Sequence, residues 1–120
     1  MSPGTAPRSG SAVHSAPLEG GGTGLIIFGE LDAATEPEMA AAIEEAIAGS
    51  GPVLIDLRAC GFVDSKGVAV LAQAAFRLND DGRSLTLRGV QDRVRRIFEL
   101  TGLSRHSSIE IEPQVDAADA

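Results

Sequence analysis

Short apolar runs alternate with amphipathic stretches along most of the chain, and the alternation predicts a β-α-β-α-β-α-β order. GLIIFG (24–29) is an apolar run bounded by glycine, the pattern of a buried strand. In the following ELDAATEPEMAAAIEEAIAGSG, Met39, Ile43 and Ile47 recur at i, i+4, i+8 and predict one apolar helix face. Thr35 and Glu38 have the spacing of a capping box, Pro37 suits a first helical turn, and Gly49 and Gly51 predict the end. PVLIDL (52–57) reads as a second buried strand. Residues 65–79 read as a second helix carrying Val68, Leu71, Ala75, Phe76 and Leu78, stopped by NDDG (79–82). SLTLRGV (84–90) alternates like a strand. QDRVRRIFELTG (91–102) predicts a third helix with Val94, Ile97, Phe98 and Leu100 facing inward and Gly102 at its end. SSIEIEP (107–113) predicts a last, edge-like strand.

Strands joined through helices favour parallel pairing and right-handed crossovers. The expected fold class is α/β: one domain with a central, mostly parallel or mixed sheet of four to five strands and helices packed against it. Residues 1–22 are rich in Gly, Ser, Pro and Ala and predict a flexible N-terminal arm, with only a weak strand signal around residues 14–18. The domain is expected over 23–113, and the polar 114–120 is expected to fray. Ligands and partners of such sheets are met at the carboxyl ends of the strands. Two distinctive loops, GELDAAT (29–35) and CGFVDSKG (60–67), leave the ends of predicted neighbouring strands and are expected to lie close together.

Composition narrows the function. The formal charge of −7 disfavours nucleic acid and anionic membranes as partners. Four Phe with no Tyr or Trp give no stacking platform for bases. No apolar stretch approaches the ~20 residues that span a bilayer. A single cysteine, Cys60, excludes an internal disulfide. With no apolar leader in MSPGTAPRSG, it predicts a cytoplasmic setting.

The stretch VDSKG (63–67) holds Lys66, the only lysine, beside Ser65 at a predicted strand-to-helix junction. A nucleophilic serine on such a turn needs glycine two residues to either side, and Val63 and Gly67 stand there. It also needs a base. His14 lies in the predicted arm, His106 in a late loop, and Asp64 is a weak base near pH 7. The stretch lacks P-loop spacing, and no His, Cys and carboxylate cluster has metal-ligand spacing, so no catalytic residue, cofactor or metal is expected. Two readings remain. Asp64 or Ser65 caps the helix, or Ser65 carries a phosphate where helix-start amides and the dipole tolerate one. The two are compatible.

Taken in order, GELDAAT (29–35), LIDLRACGFVDSKGVAVL (54–71), LTLRGV (85–90) and VRRIFELTGL (94–103) resemble the STAS domain family, specifically bacterial anti-sigma factor antagonists. The resemblance covers residues 24 to about 112. It implies a non-enzymatic, partner-switching module that binds an anti-sigma factor serine kinase and so frees a sigma factor. It further implies phosphorylation by that kinase on Ser65, with Asp64 orienting the hydroxyl, and restoration by a serine phosphatase. ATP and Mg²⁺ would belong to the kinase. Glu30, Asp32, Asp64, Ser65, Lys66, Gly67 and Val68 would form the partner-binding surface, in a monomer or weak dimer. The chain departs from the family where Lys66 replaces a small residue, and where HSAPLEGGG replaces a clear first strand. The alternative is a non-switching STAS scaffold subunit, as in a stressosome-like assembly or beside a lipid-transport ATPase.

Other features have plainer readings. Arg93, Arg95 and Arg96 predict a solvated helix face, Glu44 and Glu45 the exposed side of the first helix, and His106 a surface loop. Cys60 has no resolving partner and reads as a small inert residue. The AVLAQAAF stripe reads as core packing, its outward residues bordering the interface.

Overall fold

A computed structural model describes residues 12–113. Its strands are β1 (Val13–Pro17), β2 (Thr23–Ile27), β3 (Gly29–Leu31), β4 (Val53–Asp56), β5 (Cys60–Val63), β6 (Leu85–Arg88) and β7 (Ile109–Ile111). Its helices are α1 (Glu36–Ala48), α2 (Ser65–Asp80) and α3 (Asp92–Thr101), followed by a 3₁₀ turn, Leu103–Arg105. Five strands form one sheet in the order β1-β2-β4-β6-β7, and β3 and β5 form a separate parallel pair. Only β1 runs antiparallel within the large sheet. The α/β class and the mixed five-stranded sheet agree with the sequence pattern, and β7 is an edge strand as expected.

Alternation along the strands decides where the core lies. Leu25 and Ile27 of β2, Val53 and Ile55 of β4, and Leu85 and Leu87 of β6 are buried. Their strand neighbours Ile26, Leu54 and Thr86 are half-buried, and Arg88 is exposed. One face of the sheet is therefore covered by helices, and no other element among the described residues covers the second. Met39, Ile43 and Ala46 of α1 and Leu71, Ala74, Ala75 and Leu78 of α2 complete the cluster, joined by Val94 and Phe98 of α3. Each large aliphatic buried this way contributes about 1.5–3 kcal/mol.

The structure differs from the sequence reading in several places. The weak signal around residues 14–18 is strand β1, so the sheet starts inside the expected arm and the boundary at 23 falls within the β1–β2 hairpin. Residues 1–11 and 114–120, the rest of the expected arm and the expected frayed tail, lie outside the described residues. Phe76 is 65% exposed and Leu100 80% exposed, against the expectation that their stripes face inward. Each helix advances about 100° per residue. Leu100 therefore points away from the Val94–Phe98 stripe, and Phe76 lies past the edge of the Leu71–Ala75–Leu78 stripe.

The expected capping box does not form. Thr35 is the N-cap of α1 but makes no side-chain cap bond. The Glu38 carboxylate instead accepts the backbone N–H groups of Ala12 (3.0 Å) and Val13 (3.2 Å), fastening β1 to α1. The far end of α1 is closed by Arg83, whose guanidinium donates to the carbonyls of Ala46 (2.8 Å), Ile47 (2.7 Å) and Gly51 (2.8 Å). A cation is favoured there by the helix dipole. No local sequence signal marks Arg83, because its acceptors lie some thirty residues upstream.

Candidate functional site

The two loops meet through a strand pairing that the sequence pattern does not announce. Beyond the ends of β2 and β4 the chain forms β3 and β5, which pair in parallel with Glu30 opposite Phe62 and Leu31 opposite Val63. The ladder is extended by the Asp64 N–H, which donates to the Leu31 carbonyl at 3.0 Å. The expected convergence of GELDAAT and CGFVDSKG is thus a hydrogen-bonded pair of strands, with the start of α2 directly after it.

Asp64 is the N-cap of α2. Its extended backbone lets a carboxylate oxygen accept the Gly67 N–H at 2.9 Å, while its own carbonyl accepts the Val68 N–H at 3.0 Å. An aspartate cap of this kind stabilises a helix by about 1 kcal/mol. Ser65 is consequently the first helical residue, and it is exposed. Lys66 beside it is also exposed, on the solvent side of the same turn.

Gly67 is buried for a steric reason. A Cβ there would stand 2.8 Å from Val63 Cγ1 and 2.9 Å from Leu31 Cγ. The absent side chain lets the first turn of α2 press onto the β3–β5 pair. Val68 is 9% exposed and packs into the core. Of the seven residues expected to face a partner, Glu30, Ser65 and Lys66 are exposed and Asp32 and Asp64 half-buried. Gly67 and Val68 are buried, leaving almost no side-chain surface to a partner, and serve by holding the others in place.

The GELD loop is pinned by Thr35. Its hydroxyl donates to the Glu30 carbonyl (2.7 Å) and accepts the Asp32 N–H (3.0 Å). The Asp32 carboxylate accepts the Ala34 N–H at 3.0 Å. Glu36, at the start of α1, borders the same shallow depression as Lys66. The sequence reading missed Phe62, which is 37% exposed beside Glu30. The apolar GFV directly before DSKG is the signal that would have found it.

His106 lines the same depression as Lys66, and its Nδ1 accepts the Ser108 N–H at 3.2 Å. No group of three or more His, Cys, Asp or Glu among the described residues is placed to hold a metal ion. No helix of the described residues is long and apolar enough to cross a membrane.

Comparison with known proteins agrees with this geometry. The family model described as "Mlab, STAS domain" matches residues 15–112. The anti-sigma-B factor antagonist of Listeria monocytogenes is 40% identical over 81 residues, spanning 67% of this chain and 71% of that protein. The crystal structure of an anti-sigma factor antagonist from Mycobacterium paratuberculosis superposes with a TM-score of 0.71 at 28% identity, covering 88% of each chain. The Bacillus cell fate determinant SpoIIAA, solved in its phosphorylated form, shares the fold with a TM-score of 0.65 at 22% identity, over 90% of this chain and 97% of that one. The match over most of the chain, together with the β3–β5 pairing that brings its two signature loops together, places the protein in the STAS domain family.

Proposed function

We propose that this protein is a cytoplasmic anti-sigma factor antagonist, a regulatory binding module and not an enzyme. It binds an anti-sigma factor serine kinase, so releasing a sigma factor, and phosphorylation of Ser65 ends the binding until a serine phosphatase reverses it. The observation that carries the reading is the position of Ser65: exposed, first in a helix capped by Asp64, and beside a loop pinned by Thr35. A phosphate at a helix start meets the positive end of the dipole, so the fold tolerates the modification while the surface gains about −1.5 to −2 charges. Glu30 and Asp32 next door make that added charge repulsive to an acidic partner surface. The 40%-identical Listeria relative, named an anti-sigma-B factor antagonist, supports the same role.

The test is incubation with an anti-sigma serine kinase and ATP, followed by intact mass and by calorimetric binding. The expected result is one added phosphate, absent in Ser65→Ala, and loss of binding in step with it. Binding that persists after full modification, or that Ser65→Glu leaves unchanged, would refute the switch.

Lys66 favours a second reading. A long cation directly after the acceptor obstructs a kinase cleft and partly neutralises a phosphate, as suits a subunit that binds constitutively. Under that reading Ser65 stays unmodified, and Lys66→Ser makes it a kinase substrate.

A further inference from the structure

Among the described residues no element covers the outward face of α2, and its chemistry is ordered from end to end. Lys66, Ala69, Gln73, Phe76 and Asp80 are spaced three, four, three and four residues apart, which sets them in one stripe along a helix. All five are exposed. Lys66, Ala69, Gln73 and Phe76 line an open depression of about 570 Å³. The cation stands at the amino end and the carboxylate at the carboxyl end, about 21 Å apart at 1.5 Å per residue. One step in from the cation is the smallest side chain of the stripe, and one step in from the carboxylate is the largest. Between them lies an amide able to donate and accept at once.

A stripe of this kind is complementary to itself when turned end for end. We propose that the chain pairs with a second copy of itself through α2, antiparallel, with the two-fold axis passing close to Gln73. Lys66 of each copy then faces Asp80 of the other, Phe76 fills the space above the opposing Ala69, and the two Gln73 amides meet at the axis. The contact is isologous and closes at two copies. A parallel arrangement fails the same criteria, because it opposes Lys66 to Lys66 and Phe76 to Phe76 and leaves Ala69 uncovered. Antiparallel pairing also sets the two helix dipoles in opposition, which is favourable.

The pairing is a weak one. A single helix-on-helix contact buries less than the roughly 1,200 Å² of the smallest stable interfaces. The net charge of −7 on each copy opposes association. A dissociation constant on the order of 100 μM is expected. The pairing stands independently of the role assigned to Ser65. Where both hold, they exclude one another, since Ser65 adjoins Lys66 and the second copy covers that turn.

Sedimentation equilibrium of the full chain over a range from about 10 μM to 1 mM tests the proposal. The expected result is a monomer–dimer equilibrium that Phe76→Glu weakens about 100-fold, as for a central aromatic anchor. Lys66→Asp and Asp80→Lys each weaken it about tenfold, and the double exchange restores it to within about threefold. Each charge reversal also places its new charge favourably on the α2 dipole, so the fold is retained, as circular dichroism will register. A monomer throughout the range overturns the proposal. So does a dimer indifferent to Phe76→Glu, or a double exchange that rescues nothing.

Discussion

The backbone N–H of Asp64 donates to the carbonyl of Leu31 at 3.0 Å, and this bond joins the two loops of the candidate site. It ends the β3–β5 ladder on the residue whose side chain then starts α2. The GELD loop and Ser65 are therefore positioned by one continuous run of hydrogen bonds, and a disturbance on either side passes to the other.

Gly67→Ala should show this coupling. Alanine gains about 1 kcal/mol of helix propensity, but its Cβ at 2.8 Å from Val63 forces overpacking that costs about 1–3 kcal/mol. A net loss of about 1 kcal/mol is expected, lowering the melting temperature of a domain this size by about 4–8 °C. Faster amide exchange at both Leu31 and Asp64 would accompany it. A more stable Gly67→Ala protein would show that the contact relaxes freely.

Arg83→Ala removes the donor shared by the Ala46 and Ile47 carbonyls in the last turn of α1 and the Gly51 carbonyl just beyond it. Hydrogen bonds from a charged group contribute about 1.5–3 kcal/mol, and the side chain is only 9% exposed, so water replaces it poorly. A loss of about 2–3 kcal/mol is expected in urea unfolding. Arg83→Lys should recover less than half, because an ammonium lacks the planar fork that reaches Ala46, Ile47 and Gly51 together.

Glu38→Ala should loosen β1 selectively. The carboxylate accepts two backbone N–H groups at the entry to that strand, and its loss leaves both without their acceptor. Hydrogen exchange at Ala12 and Val13 should speed by about tenfold or more, well beyond the change in exchange across β4 and β6. Uniform acceleration across the sheet would contradict the local assignment.

Cys60 provides a probe with a defined pH sense. Burial pushes its thiol above the ordinary range. The folded state then holds its proton at pH values where the unfolded thiol has lost it, so the Cys60 contribution makes stability fall as pH rises past the unfolded thiol's value. A thiol reagent at pH 8 should label the native protein only as fast as it opens, and within seconds in denaturant. Rapid labelling of the native state would disprove the burial argument.

The fold was legible where side chains repeat with a clear period. Met39 and Ile43, Leu71 and Leu78, and Val94 and Phe98 each announce a helix face, and GLIIFG and PVLIDL announce the central strands. The misses share a cause. β3 and β5 have three and four residues, too few for a period, and exist because each completes the other across some thirty positions. β1 carries Pro17 and small residues and is held by pairing with β2 and by Glu38. Of the site, Asp64 and Ser65 were legible because a cap has a local signature. Thr35 looked like another cap and is instead the pin of the GELD loop, a role set by the Glu30 carbonyl that its hydroxyl reaches. Phe76 reads as core because it follows Ala75, and one residue of rotation carries it into solvent.

The orientation of the outer strands bears on how the protein can be handled. β1 runs against β2 with Val13 opposite Ile27, while β7 runs with β6, and the Glu112 N–H reaches the Leu87 carbonyl. Ala12 and Pro113 thus both stand at the pole where the parallel strands end, the pole that carries the β3–β5 pair and Ser65. A group attached directly at Ala12 or Pro113 through a short linker is tethered on the same side as Ser65, at an effective concentration of roughly millimolar. Such fusions, affinity handles and surface attachments will therefore compete with or promote docking there, and immobilisation through a side chain on the sheet face opposite the helices leaves that pole clear.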